Sequence, residues 1–547
     1  MLLVMGAVFF TFLFSLLLFG HSLAAEPPTR APGLQRPTLV LRDGNGIPHI
    51  FATNEHDLFF LQGWVHAQDR FFQMDVARRE ASGTLAELLG PALLAEDVEI
   101  RTVGVRRAAE RSLPLLSEPV QDALTAYSKG VNAFIQSHPL PPEYARLELS
   151  RLDPWSPVDS LAIIKAEAFG LSFDDDDIER TLTLQEYQAA GAIGGFDGTK
   201  LFFEDLFRSA PFDPASTIPD ASQSSAPTGV GPESMSQMQR AIQQIRSDTL
   251  ALGRAYLERI RDMRLFRRKG KESKGSNEWA VGGQHTVTGV PLLANDPHLS
   301  LDTPATFYQN HLHADDLDVV GASFAGVPFV VLGHNRHIAW GATTNPMDVT
   351  DTFREEVRPD PSSPSGLSTV HLVKLEPVIP IPEVFRQNII GDATPDNLTV
   401  VPPGTGIPPV TLIVPRRNHG PIVNLDAAAG TALSVQFTGF SGTRELDAFA
   451  IWNRARNLDD FKRGLQFFDF GSQNWAYADT ESNIAYFTSG ELPLREDLQA
   501  GTVNGLPPFF IRNGTGGNEW LPVGNPQPGQ AIPFEILPFE EMPQIVN

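Results

Sequence analysis

The run Lys274-Gly275-Ser276-Asn277-Glu278-Trp279-Ala280-Val281 divides the chain into two textures. A long polar and basic segment precedes it. A dense run follows and closes on Leu292-Leu293-Ala294-Asn295-Asp296-Pro297-His298-Leu299. A Gly-Ser bond in this setting reads as a processing point, with serine as a new N-terminus. Such a serine carries its own base, because an α-amino group titrates near pH ~7.7–8.0. The amine can take the proton of the hydroxyl beside it, so nucleophile and base share one residue. Most Gly-Ser pairs are simple turns, so the reading depends on the rest of the chain.

Working outward, 547 residues exceed one ordinary core and predict one large composite domain or two to three smaller ones. Hydrophobic residues at 42% and charged residues at 20% are ordinary for a globular protein. A formal charge of −23 argues against a dominant nucleic-acid or anionic-membrane surface. With no cysteine, thiol chemistry, zinc-thiolate sites and disulfides are excluded. Residues 1–20 are almost wholly apolar. Small residues at Ser22 and Ala24 suit signal-peptidase cleavage after Ala24 or, less well, Ala25. Residues 1–25 therefore read as a signal peptide, followed by export and no lasting membrane association. About twenty apolar residues also just span a bilayer, so an uncleaved anchor is the alternative.

Residues 38–50 read as strand, Asp-Gly-Asn-Gly turn and strand. Over 55–89, Phe60, Trp64, Ala67, Phe71, Met74 and Ala77 recur at helical spacing and predict one buried face. The charged residues of that stretch, Asp69, Arg70, Asp75, Arg78, Arg79 and Glu80, read as surface ion pairs. Helical patterns continue over 113–137 and 160–171. The acid run Asp174-Asp175-Asp176-Asp177 reads either as a solvated helix start or as calcium ligands. Residues 210–232 have linker composition, a polar helical stretch fills 233–263, and the basic run 264–271 reads as an exposed connector. After Ser276 short β-type runs take over, at 277–282, 292–295, 307–312, 318–322, 329–333, 338–342, 410–415, 432–437, 475–478 and 484–488.

Four collinear blocks, RDGNGIPHI with GWVHAQDRFFQMDVARREASGTLAELLG, GSNEWAVGG with TGVPLLANDPHL, VLGHNRHIAWGATTNPMDVTD, and SQNWAYADTESNIAY, resemble the penicillin acylase family of N-terminal-nucleophile hydrolases. The resemblance implies an α+β fold, the four-layer αββα sandwich, with a largely helical small-subunit portion. It implies a small-subunit region over 26–209, a spacer over 210–275 removed on maturation, and a large-subunit region over 276–547. It also implies an exported, periplasmic or secreted, self-processing amidohydrolase. The two subunits form a heterodimer acting on a small N-acyl substrate such as an acyl-homoserine lactone or a β-lactam antibiotic.

Carried over by position, the resemblance makes Ser276 the nucleophile and Gly275-Ser276 the self-cleaved bond. His298 falls where the family's backbone helps hold the oxyanion and, in some members, where a histidine ring orients the serine. Thr344 matches a backbone donor to the oxyanion. One such donor is typically worth ~2.7–4 kcal/mol. Asp177, Asp348, Thr350 (through its carbonyl) and Asp351 match ligands of one structural calcium ion. Leu171, Leu299 and Leu332 match the acyl pocket and, being aliphatic, lean toward a fatty acyl chain. The family's oxyanion-hole Asn and a further calcium ligand fall beyond Asn547, so the sequence reads as C-terminally incomplete. Rival readings are a truncated, inactive homologue, a secreted Ser-His-Asp hydrolase without the Gly-x-Ser-x-Gly elbow, and a metal hydrolase on His311-Leu312-His313 with Asp315 and Asp316 that lacks a His-Glu-x-x-His pattern.

Overall fold

The alternation in residues 38–50 becomes the antiparallel strands Leu39–Arg42 and Pro48–Phe51. In the computed structural model, which describes residues 24–25, 31–206, 245–267, 275–299 and 301–547, these strands belong to a ten-stranded sheet. All of the signal-peptide stretch but Ala24 and Ala25, and the spacer's 210–244 and 268–274, lie outside the described residues. Pro48–Phe51 pairs in parallel with Phe307–Ala314, bringing His49 opposite His311. From there the sheet runs through Leu317–Phe324, Leu332–Asn335, Ile338–Thr344, Gln473–Asp479, Ile484–Ser489 and Gln544–Val546. Strands from before and after Ser276 thus share one sheet. The strand expected over 329–333 starts only at Leu332, because Phe329 turns the backbone at φ 73° and donates its N–H to Gln62 Oε1 at 3.1 Å.

A second sheet of eight strands is centred on Thr350–Pro359, Thr431–Phe437 and Gly420–Asp426. Thr350–Pro359 follows directly from Ile338–Thr344, so residues 345–349 link the two sheets. Val349, Leu433, Val435 and Phe437 belong to the same buried core as Trp340, Trp475 and the helices.

Helices dominate the region before residue 207. Glu55–Ser82 starts at Asn54, whose side chain accepts from the Asp57 N–H at 2.8 Å. It stops one residue before Gly83, which adopts φ 62° and donates to the carbonyls of Arg79 and Glu80. The expected helix over 55–89 is therefore two, with Ala86–Leu89 separate. Glu118–Ser137 packs backbone to backbone on the first helix: a Cβ at Gly130 would lie 1.8 Å from the carbonyl oxygen of Phe60. The expected surface ion pairs are overturned for Asp75, Arg78 and Arg79. All three are buried, with Arg78 Nε 2.6 Å and Arg79 Nε 3.1 Å from Asp75 Oδ1, and Tyr144 donating to Asp75 Oδ2 at 2.9 Å. The helix is covered on more than one face, so residues of its polar stripe meet neighbours rather than water. Pro157–Ser172 opens with a capping box, Ser156 N–H donating to Asp159 at 2.7 Å. The class is α+β, as the sequence implied. The described residues show its helical layer, the ten-stranded sheet and a hairpin lying against that sheet.

Candidate active site

That hairpin carries the serine. Gly275–Val281 and Leu292–His298 pair antiparallel, with Gly275 opposite His298 and Ser276 opposite Pro297. Alternation puts Gly275, Asn277 and Trp279 outward, and Ser276 and Glu278 half-buried toward Ile338–Thr344 and Gln473–Asp479. Asn295 clamps the hairpin to the sheet. Its side chain accepts from the Ala342 N–H at 3.1 Å and donates to the Ala342 carbonyl at 2.8 Å and the Asn277 carbonyl at 3.1 Å. This approach requires glycine at 341, where a Cβ would stand 2.5 Å from the Asn295 Cβ.

Ser276 lines a cleft of about 730 Å³. The cleft also gathers Leu171, Leu299, Leu332 and Thr344, residues that lie far apart in sequence. Its remaining wall is strongly aromatic, from Phe307, Phe324, Phe449, Phe468, Phe470 and Trp475. Sequence reading missed these rings because each sits in a run that reads as ordinary core. No histidine lines the cleft among the described residues; its titratable members are Glu167 and Glu445. Glu445 is buried and engaged, accepting from Thr443 Oγ1 at 2.9 Å and the Phe470 N–H at 3.1 Å.

His298 stands outside this lining. Its half-exposed ring meets Asp296 at 2.8 Å and Asn277 at 3.2 Å through Nε2, while Nδ1 lies 3.8 Å from where a Cβ on Gly275 would be. The imidazole is therefore beside the Gly275 end of the Gly-Ser bond, on the face opposite the Ser276 side chain. Thr344 ends its strand at the cleft, and its carbonyl accepts from Asn474 Nδ2 at 3.3 Å. Asn474 also donates to Thr343 Oγ1 at 3.0 Å and accepts from Tyr486 OH at 2.6 Å. Thr343 in turn reaches Glu278 Oε1 at 3.4 Å. A polar chain thus runs along the sheet beneath the hairpin. Burial pushes the Glu278 carboxyl up to about 7, opposed by hydrogen bonds from the Ala476 N–H and Thr343, and its Oε2 is buried without a partner.

Asp177, Asp348 and Asp351 come together from both halves of the chain. Asp177 Oδ2 accepts the Thr352 N–H at 2.8 Å. Burial, and then the charges of Asp174, Asp348 and Asp351, push its carboxyl well up. Buried Arg495 supplies counter-charge, 2.9 Å from Asp348 Oδ1 and 2.7 Å from Asp351 Oδ1, and Trp520 donates to Asp351 Oδ2 at 2.7 Å. As these side chains stand, no group of three or more acids or histidines is arranged to hold a metal among the described residues. The donor chemistry, all oxygen and acid-rich, is nonetheless that of a hard cation. The other acid-histidine cluster does not converge on a metal: His311 meets His49 at 3.0 Å and Asp318 at 2.8 Å, while Asp316 turns toward Arg456 at 3.7 Å.

The penicillin amidase family model matches residues 37–547. The chain belongs to the penicillin amidase family. Within it, the chain is 30% identical over 541 residues to penicillin acylase 2 proenzyme of Pseudomonas sp. strain SE83, covering 96% of this chain and 59% of that protein. It is 26% identical to the acyl-homoserine lactone acylase QuiP of Pseudomonas aeruginosa, covering 86% and 52%. To penicillin G acylase of Escherichia coli it is 26% identical, covering 93% and 57%. The chain therefore spans little more than half the length of these relatives. A solved penicillin G acylase from Alcaligenes faecalis is 25% identical over 49% of this chain and 42% of its own, with a TM-score of 0.38. No helix among the described residues is long and apolar enough to cross a membrane.

Proposed function

We propose that this penicillin amidase family member is an exported precursor that opens itself before Ser276 and then hydrolyses the amide bond of N-acyl compounds. The observation that carries the reading is the cleft, which gathers Ser276, Thr344 and a deep apolar wall without any lining histidine among the described residues. A serine with no such imidazole needs another base, and its own α-amine is the nearest available once the bond to Gly275 is gone. In maturation, Ser276 Oγ attacks the Gly275 carbonyl carbon, the C–N bond breaks to leave an ester, and water hydrolyses that ester. The products are the Gly275 carboxylate and a free Ser276 amine. The small and large chains stay together as a heterodimer, because their strands share one sheet.

In turnover, the Ser276 amine takes the Oγ proton and Oγ attacks the substrate carbonyl. The Thr344 N–H helps hold the oxyanion while the amine product leaves with the proton. Water then releases the acid from the acyl-enzyme. The outward His298 stands beside Gly275, where it would act on the bond being opened rather than on the Ser276 hydroxyl. The apolar wall suits acyl groups of acyl-homoserine lactones or of β-lactam antibiotics. Aliphatic Leu171, Leu299 and Leu332 favour a fatty chain, and the rings around them admit an aryl group. One calcium ion would be held by Asp177, Asp348, Asp351 and the Thr350 carbonyl. It would supply charge that joins the two halves of the chain.

Ser276→Ala tests the reading. The expected protein is a single uncut chain without amidase activity, while the parent yields a chain starting at Ser276 on N-terminal sequencing. A Ser276→Ala protein still split at Gly275-Ser276 overturns it.

A further inference from the structure

Residues 245–267 fall inside the stretch expected to be a spacer removed on maturation, yet they are built into the protein. Helix Ser247–Ile260 buries Thr249, Leu250, Leu252, Gly253, Tyr256 and Ile260, and Met263, Leu265 and Phe266 beyond it are buried as well. We propose that this segment is retained after the chain opens before Ser276, as a wedge in the interface between the small and large chains. The proposal rests on the reading of Gly275-Ser276 as the opened bond.

The partners of the segment come from both sides of Ser276. Arg259 pairs with buried Glu99 from the small-chain side and donates to the Val423 carbonyl from the large-chain side. Gly253 packs so closely that a Cβ there would lie 2.8 Å from Ile178 and 3.7 Å from Ile511. Asn424 Nδ2 donates to the Leu252 carbonyl at 2.9 Å. Asp248 accepts from Thr431 at 3.2 Å and lies 3.5 Å from Arg354. Past the helix, the Phe266 ring meets Phe169 edge-on at 5.6 Å, on the helix that carries Leu171 into the cleft.

Loss of the segment would take from Glu99 the Arg259 cation that pairs with it. It would also expose apolar surface on both chains and open a void behind one wall of the cleft. An excised spacer has the opposite signature, an exposed stretch whose removal leaves nothing unpaired.

The test separates the proposal from the reading beneath it. The purified, processed protein is passed through gel filtration and its chains are weighed by mass spectrometry after denaturation. A large chain starting at Ser276 supports the processing, and a co-eluting polypeptide that contains 245–267 supports retention. A folded protein whose large chain starts at Ser276 but which holds no such polypeptide overturns retention alone. Thermal melts of processed Leu250→Ala and the milder Arg259→Gln give a second readout. Retention predicts Tm values lower than the parent's, by about 3 °C or more for Leu250→Ala. Processed variants that melt with the parent overturn it. Should the chain not open by itself, protease sites inserted within 207–244 and 268–274 are cut in vitro. The freed helix stays bound if the proposal holds and separates on gel filtration if it does not.

Discussion

Glu278 shares a strand face with Ser276, and its environment sets a pH dependence. Its carboxyl is held up to about 7, against an ordinary 4.5, because burial disfavours the charge more than its hydrogen bonds favour it. The folded chain therefore keeps a proton that the unfolded chain releases. The associated stability is full below pH 4.5 and is lost as pH rises through about 7. Glu278→Gln carries no such proton, so the parent's Tm should fall relative to the variant's between those limits. The comparison is made in the uncut Ser276→Ala background, where the peptide bond before the serine is intact. Parallel Tm profiles across that range would remove Glu278 from this role. The sequence places Glu278 two residues from the serine, but the shift arises from burial under strands distant in sequence, only partly offset by hydrogen bonds from Thr343 and Ala476. The acyl-pocket leucines show the same limit. Leu171, Leu299 and Leu332 are named by family position, whereas the phenylalanines and Trp475 around them are cleft residues only because the strands and helices converge there.

Among elements, the hairpin Gly275–Val281 with Leu292–His298 decides whether a site exists at all. It rests on the sheet through Asn295 and the bare backbone at Gly341. Gly341→Val puts a branched side chain where Asn295 already sits. Overpacking of this kind costs about 1–3 kcal/mol. The strain falls on the hairpin, so processing and amidase activity should drop at least tenfold while far-ultraviolet circular dichroism stays that of a folded chain. Parent-like processing would show that the hairpin does not depend on this contact. The hairpin strands are legible from alternation and the turn at Gly289. The helix ends are legible where a cap declares them, as at Asn54 and Gly83. The late start at Leu332 was not legible, since nothing local announces that Phe329 leaves β conformation to meet Gln62, a residue far away in sequence.

For the whole molecule, the acidic cluster at Asp177, Asp348 and Asp351 brings together the helical region before Gly275-Ser276 and the strands after it. If one calcium ion adds to the charge that Arg495 supplies, the protein should gain about 2.7 kcal/mol at a hundredfold excess over Kd. The expected result is a higher Tm in millimolar calcium, reversal by EDTA, and loss of the response in Asp177→Asn. An unchanged parent Tm with calcium and with EDTA would reject the ion and leave Arg495 as the cluster's counter-charge. The retained wedge belongs to this scale too, for it is defined only by what surrounds it.

By itself, the sequence determined the α+β class, the helical first part and strand-rich second part, the membership of a family, and which serine to examine. These follow from periodicity, turn chemistry and ordered motifs, all properties of neighbours along the chain. Only the tertiary structure decided that Asp75, Arg78 and Arg79 are buried, that His298 faces away from the cleft, that rings line it, and that residues 245–267 bury an apolar face. Burial and facing depend on which distant segments arrive to exclude water, and no local pattern records their arrival.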